Sequence, residues 1–417
     1  MRTPGFFMML IAALAAAGMN LDAAPAADCV DCHKNVTPNI VTDWELSKHG
    51  KMGMGCTVCH GADHAAASDV AKAKIPTPDT CARCHNARVQ QYKKGKHAVA
   101  WTAMKAMPTM HWQPSILTDG MKGCGGCHKI GIKAEEEIKE LKKNNPGYGT
   151  ASCDACHTRH TFSVVEARQP QACQTCHMGF DHPQWEMFSS SKHGVRALLK
   201  QNKVLPEGTA APTCQTCHMQ EGNHEVRTAW GFLGLRLPMP EDSVWAEDRK
   251  VILQAVGVLD PSGNPTSRLD EVKKIDLLRT TQEDWQKERD KTLNTCKQCH
   301  SGSFAKSELL KGDQMIKEID HLMAEGIRIV AGLYKDGILE QPKSYPYAFP
   351  DLLAFQDAPT SIETKLFVMF LERRNRAFQG MFHASADYAW WYGYSGMVRD
   401  LTEIKYMAEE MRRAKGK

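Results

Sequence analysis

One five-residue unit, Cys-x-x-Cys-His, occurs eight times in this chain and takes up all sixteen of its cysteines. The copies are Cys29, Cys32 and His33; Cys56, Cys59 and His60; Cys81, Cys84 and His85; Cys124, Cys127 and His128; Cys153, Cys156 and His157; Cys173, Cys176 and His177; Cys214, Cys217 and His218; and Cys296, Cys299 and His300. Two thiols about one helical turn apart can add to the two vinyl groups of a haem, and the adjacent imidazole then falls on the iron. Zinc ribbons also use Cys-x-x-Cys pairs, but as sets of four ligands with no histidine required after each pair. A disulfide framework suits an exported chain with an even cysteine count, yet leaves eight histidines unexplained. The pattern therefore predicts eight covalently bound haem c groups and no disulfide.

The N-terminus begins Met1-Arg2, continues as an apolar run from Phe6 to Ala17 and reaches a small-residue stretch near Ala24-Pro25-Ala26. It reads as a cleaved signal peptide over residues 1–26, which predicts a periplasmic protein. The apolar run falls short of the ~20 residues of a membrane span, and no later stretch is longer, so no transmembrane segment is expected. Aromatic residues are only 7% of the chain, which makes the polypeptide a modest core builder unless porphyrins supply apolar surface. A net charge of +4 is too small for this length to predict nucleic-acid binding.

First cysteines of successive motifs lie 27, 25, 43, 29, 20, 41 and 82 residues apart. Such gaps leave room for short helices and loops punctuated by Gly and Pro, as at Asn145-Pro146-Gly147 after the charged helical run Glu135–Lys143. Alternation is confined to Val164-Val165 and Val251-Ile252, too little to predict a sheet. The long gap, residues 219–295, reads as an excursion that covers a surface or meets another subunit, and Arg268–Lys291 reads as a solvated helix. From Ser303 the apolar period becomes helical: Leu309, Ile316, Ile319, Leu322 and Met323, then Ile362, Leu366, Met369 and Phe370, then Val398, Leu401, Ile404 and Met407. The expected fold is mainly α: a haem-packed region over residues 27–302 and a C-terminal bundle of long helices over 303–417, with a linker at Gln341–Thr360.

Eight irons have sixteen axial positions, of which the motifs fill eight. Ten further histidines are present, including His111 and His321. Those expected to serve as distal ligands are His49, His64, His97, His182, His193, His224 and His383. His49 and His193 share the sequence Ser-Lys-His-Gly, which suggests two copies of one ligand-bearing turn. His160, three residues past His157, either ligates a neighbouring iron or projects over an open one as a proton donor. In the fourth motif, glycines at 123, 125 and 126 surround the cysteines and leave room for substrate or for close packing.

Three stretches, Cys153–Phe162 (CDACHTRHTF), Cys173–Gly194 (CQTCHMGFDHPQWEMFSSSKHG) and His383–Gly393 (HASADYAWWYG), resemble the octahaem hydroxylamine oxidoreductase family. The resemblance implies a helical homotrimer in which seven haems are bis-His and the fourth, held by His128, is five-coordinate and catalytic. It implies His160 as the catalytic histidine, and Tyr388 as the tyrosine that in oxidative members cross-links to the catalytic haem of the neighbouring subunit. The acid expected beside the catalytic histidine is replaced by Arg159, with Asp154 as its candidate substitute. The activity implied is oxidation of hydroxylamine, a small nitrogen substrate, with electrons passed to an external periplasmic cytochrome. Reduction of nitrite or hydroxylamine by the same parts, a tetrathionate reductase and a substrate-free electron conduit are the alternatives. Intact mass under denaturing conditions should show eight haem additions; a fully matured product with six or fewer would refute the motif reading.

Overall fold

The computed structural model describes residues 26–105, 124–144, 152–228, 234, 236–274, 276, 281–343, 345–354 and 358–416. The leader, Gly123, His111 and the Asn145-Pro146-Gly147 turn lie outside them. The described residues are about 66% helical. Among the described residues no strand forms, and one isolated bridge joins Leu259 to Pro265. Val164 and Val165 open a short helix, Val164–Ala167, and Val251 and Ile252 lie within the helix Ser243–Ala255. Helix starts follow capping chemistry: Ser191, Asp242, Thr281 and Ser301 each accept a backbone N–H of the first turn through the side chain, satisfying donors that the helix leaves unpaired.

Two compact units are present, Met1–Lys74 and Ile75–Lys417. The first contains α1 (Ala26–Val36) and α2 (Pro38–Leu46) and carries the first two motifs. The second holds the other six motifs together with the C-terminal helices. Its longer helices are α3 (Pro78–Lys94), α4 (Gln184–Ser190), α5 (Lys192–Gln201), α6 (Ser243–Ala255), α7 (Gln282–Cys296), α8 (Gly302–Lys335), α9 (Ser361–Val368), α10 (Asn375–Phe382) and α11 (Ser395–Ala414). Single π-helical stretches, Met369–Arg374 and Ala389–Tyr394, lead into α10 and α11.

The bundle core is the stripe predicted from periodicity. Ile316, Ile319 and Met323 of α8, Ile362, Leu366, Met369 and Phe370 of the α9 segment, and Leu401 and Ile404 of α11 are all buried in one cluster. Each such side chain contributes about 1.5–3 kcal/mol relative to exposure. Val398 falls off this stripe and is 43% exposed, because α11 turns Met397, Leu401, Ile404 and Ala408 inward. The 219–295 gap is not merely an excursion. Its α6 packs along α8, and Ile252, Ala255, Val256 and Val258 belong to the same core. The sequence reading missed this because the apolar residues of α6 are interrupted by Asp248 and Arg249, both buried.

Asp248 pairs with His321 and Arg328, while Arg249 belongs to a buried network around Asp320. Asp320, fully buried on α8, accepts from Trp245 Nε1 (2.9 Å) and Arg249 Nη1 (3.0 Å) on one oxygen and from Arg374 Nε (3.0 Å) and Nη2 (2.8 Å) on the other. Burial alone would raise the Asp320 carboxyl, but Arg374 and Arg249 reverse that and hold it below the ordinary range. Arg249 Nη2 also donates to Gly234 O at 2.7 Å, tying the segment after His224 to the bundle. Asp320→Asn would leave two buried guanidinium groups short of their counter-charge, at a cost of about 3–5 kcal/mol. A lowered denaturant midpoint by far-ultraviolet circular dichroism, with haem content unchanged, is the expected result.

Candidate haem sites and active site

Each motif folds as one helical turn. The backbone N–H of His60, His157, His177 and His300 donates to the carbonyl of the first cysteine of its own motif, at 2.9 to 3.1 Å. Cysteines three apart on such a turn share a face, which sets two thiols toward one macrocycle edge and the histidine toward its centre. All sixteen cysteines are free thiols, as covalent haem attachment requires.

Imidazoles meet in pairs. Two ring nitrogens bound to one metal at about 2.0–2.1 Å set the ring centres about 6 Å apart. His33 and His64 are 6.2 Å apart, His177 and His97 6.0 Å, His157 and His224 6.2 Å, His300 and His193 5.9 Å, and His218 and His383 6.4 Å. These five pairs join a motif histidine to a histidine expected as a distal ligand. The spacing fits one iron between each pair.

The other ring nitrogen is anchored. Nδ1 lies at 2.7 Å from Thr37 Oγ1 for His33, 3.0 Å from Lys74 O for His60, 2.8 Å from Asp69 Oδ1 for His64, 2.8 Å from Gly222 O for His224 and 2.7 Å from Gln379 O for His383. Anchoring Nδ1 fixes the tautomer, presents Nε2 and raises ligand basicity. Burial also keeps the rings neutral: it pushes His177 down to about 3 and His218 to about 4, and lowers His97, His157, His193, His224 and His383.

The two Ser-Lys-His-Gly turns are copies in structure as well as sequence. Ser47 Oγ accepts from Gly50 N (2.9 Å) and donates to Trp44 O (2.6 Å); Ser191 Oγ accepts from Gly194 N (3.1 Å) and donates to Phe188 O (2.7 Å). A Cβ at Gly50 would stand 2.2 Å from Trp44 O, and one at Gly194 1.9 Å from Phe188 O, so only glycine lets the turn close. One of the two copies carries His193, paired with His300, and the other carries His49.

Thiols show which motifs are neighbours. Cys81 is hydrogen-bonded to Cys153, Cys127 to Cys176, and Cys173 to Cys214. Cys156 lies within electrostatic range of Cys173 and Cys176, and Cys217 within that of Cys296 and Cys299. In the larger unit the motifs thus run third, fifth, sixth, seventh, eighth, with the fourth joined at the sixth. In the smaller unit Cys56 and Cys29 are neighbours.

The fourth motif differs. The imidazole set against His128, at 6.1 Å, is that of His182, which also stands 6.0 Å from His177. His128 Nδ1 is held by Ala100 O at 2.8 Å. His182 Nδ1 is held by the carboxylate of its chain neighbour Asp181 at 3.1 Å. Burial would raise the Asp181 carboxyl, but the His182 hydrogen bond and the nearby His128 ring hold it below the usual range. The site is therefore an imidazole backed by an ionised carboxylate, facing a motif histidine.

The residues expected in the active site are placed as follows. His160 makes an edge contact with Phe162. Asp154 forms an ion pair with Arg159 at 3.2 Å. Tyr388 lies half-buried at the entry to the second π-helical stretch, its ring 4.9 Å from that of Tyr392, and burial raises its phenol, with Arg376 and Glu186 nearby. An acid directly before a histidine, with the two side chains in contact, is found at Asp181-His182. The signal was present in the sequence, as an acid directly before a histidine and a helix-starting Pro183 directly after.

Known proteins agree with this haem-binding architecture. The family described as "Seven times multi-haem cytochrome CxxCH" matches residues 52–251 and 270–345, well over half of the chain. The chain belongs to this family of multihaem cytochromes c and is hydroxylamine-oxidoreductase-like. A probable nitrite reductase-hydroxylamine oxidoreductase fusion protein of Kuenenia stuttgartiensis is 28% identical over 93% of this chain, which spans 52% of that relative's length. A solved structure of the reducing HAO-like protein complex of Kuenenia stuttgartiensis superposes with a TM-score of 0.68 at 23% identity, over 94% of this chain and 86% of that one. A solved hypothetical multiheme protein does so at 0.67 and 20% identity, over 95% and 98%. Among the described residues no helix is long and apolar enough to cross a membrane.

Proposed function

We propose that this chain is an octahaem c-type oxidoreductase that oxidises hydroxylamine at the iron held by His128, with His182 and Asp181 as its proton-handling pair. The observation that supports this reading is that His182, backed by the Asp181 carboxylate, stands against both His128 and His177, whereas His64, which is also backed by a carboxylate, pairs with His33. Haem irons, when bound, supply one-electron redox chemistry and, at an open axial position, a seat for a small nitrogen ligand. Withdrawing electrons from an N–H and O–H compound also releases protons, so a base must stand near the nitrogen. His182 Nε2 is that base. Asp181 fixes its tautomer and stabilises the imidazolium that forms, as an orienting carboxylate does for a catalytic histidine. His182 takes the role for which the sequence suggested His160.

His64, His97, His193, His224 and His383 complete five irons. His49 and His160 are assigned to the irons of His60 and His85, making seven bis-His centres. His49 earns this place through its Ser-Lys-His-Gly turn, which copies that of His193. Electrons leave to an external cytochrome, and the protein works as a periplasmic homotrimer, as its resemblance to octahaem hydroxylamine oxidoreductases implies. The opposite direction, reduction of nitrite or hydroxylamine, is the second reading, and the nitrite reductase named in the relative from Kuenenia favours it.

His182→Ala should keep every haem and slow hydroxylamine turnover by roughly a hundred-fold or more, whereas His160→Ala should convert one low-spin iron to high-spin. If the wild-type protein has only low-spin irons and His182→Ala creates a high-spin one, His182 is a ligand and the conduit reading stands in place of the enzyme. Tyr388→Phe tests direction, since it removes only the oxygen needed for a link to a neighbouring subunit. An oxidative enzyme should lose a covalent oligomer on denaturing gels, together with oxidation relative to reduction. Wild-type chains that already run as monomers would favour the reductive reading.

A further inference from the structure

We infer that Gln184 and Gln379 form an amide bridge that sets the reduction potential of the iron ligated by His177. His177 Nδ1 lies 3.2 Å from Gln184 Oε1, and Gln184 Nε2 donates to Gln379 Oε1 at 2.8 Å. The backbone carbonyl of Gln379 in turn accepts from Nδ1 of His383 at 2.7 Å. The imidazoles of the sixth motif and of the seventh motif's distal position are thus joined through two glutamines 195 residues apart in the chain.

The anchor of His177 is of a different kind from the others described. His60, His128, His224 and His383 hold Nδ1 on backbone carbonyls, His64 and His182 on carboxylates, and His33 on a hydroxyl. A carbonyl or carboxylate can only accept. A carboxamide can present either its oxygen or its NH2. With Nε2 on iron, the His177 Nδ1 carries the proton and needs an acceptor, so Gln184 must turn its oxygen inward. Its NH2 is committed to Gln379, which is 5% exposed and fixed on α10. Gln379 is therefore a positioning residue: by accepting from the Gln184 NH2 it decides which end of Gln184 meets His177.

The sixth motif is also where thiol neighbours converge. Cys176 meets Cys127 of the fourth motif, Cys173 meets Cys214 of the seventh, and both lie near Cys156 of the fifth. A hydrogen-bond acceptor on Nδ1 makes the imidazole a more basic ligand and favours the oxidised iron. Placed at this junction, Gln184 and Gln379 act on a centre that adjoins the candidate active site and the fifth and seventh motifs. The inference rests on His177 being an iron ligand, not on the identity of the substrate.

The test is a potentiometric titration of the full-length haem-loaded protein without substrate, followed by the low-spin electron paramagnetic resonance signals. Gln184→Leu, which removes the acceptor, should raise one midpoint potential. Gln184→Glu, a stronger acceptor, should lower that same midpoint, and the others should stay in place. Gln379→Leu should raise it as well, by less than Gln184→Leu, because a freed amide presents its oxygen only part of the time. Shifts of the same sign for Leu and Glu at position 184, shifts spread evenly over all centres, or a silent Gln379→Leu beside a responsive Gln184→Leu would each overturn the inference. If Gln184→Leu fails to take up its haems, Gln184→Glu against wild type decides alone: a fall in one midpoint supports the bridge, and a rise or no change refutes it. Loss of hydroxylamine turnover in the wild type would leave this outcome untouched, because no step of the measurement uses substrate.

Discussion

Setting neutral imidazoles against one another in pairs, as the ligation of one haem iron by two of them would require, is the constraint on which the rest of this structure depends. It demands that two rings from distant parts of the chain face one another across about 6 Å, each with Nε2 forward and Nδ1 occupied. The polypeptide meets this demand locally. Helical turns of five residues deliver the proximal histidines, and serine-capped turns closed on glycine deliver others such as His193. Burial supplies the remaining condition, because desolvation disfavours the charged imidazolium. Since the folded values lie below the ~6.5 of a free imidazole, the unfolded chain takes up more protons as pH falls through that value, and acid weakens fold and ligation together.

The same constraint explains where the protein keeps its apolar residues. The principal buried cluster begins at Ile252 and is built from α6, α8, α9, α10 and α11 with their connections. In the motif-bearing region the buried hydrophobic residues are scattered, among them Val41, Val89, Met104 and Met187. A chain with few aromatics can afford that arrangement if macrocycles furnish the apolar surface there, while the bundle folds as an ordinary helical core. The Asp320 network then has a positional task beyond stability. Through Arg249 and Gly234 it holds the segment downstream of His224, so bundle packing and ligand placement in this unit are linked.

Haem attachment and helical class were legible because their signals are local. Cys-x-x-Cys-His is contained in one turn, and the α8 stripe from Leu309 to Met323 is a periodicity in one helix. Distal pairing was legible only as a pool: His64, His97, His193, His224 and His383 were each proposed as ligands, but nothing local says that His97 faces His177 across 80 residues. The part of α6 in the core was hidden because Asp248 and Arg249 read as solvent-facing, whereas Arg249 is neutralised by Asp320 some 71 residues away. His182 was recognised as a ligand-type histidine and His160 as a catalytic one. The choice between them depends on which ring faces His128, and that is set by how the loop from His177 to Gln184 folds back.

Under the proposed function, that loop bears on both proton handling and electron flow. His177, Asp181, His182 and Gln184 fall within eight consecutive positions, and Glu186 closes the loop by accepting from Gly179 N at 2.9 Å. Its far side is fastened to the C-terminal helices through Gln184 and Gln379 and through a contact of 3.1 Å between Ser190 and Ser385. Under the proposed function, the proton-handling pair Asp181-His182 and the ligand His177 are thus carried on one short element, clamped by a second that leads three residues later to Tyr388. Proton affinity at His182 and electron affinity at the His177 centre cannot be altered independently by moving this loop, but each has its own polar anchor: Asp181 for the one, Gln184 for the other. Direction of flow depends on the free-energy difference between those two sites. If Asp181 and Gln184 set those two affinities as proposed, a change of anchor would tilt the balance while every haem motif stayed intact.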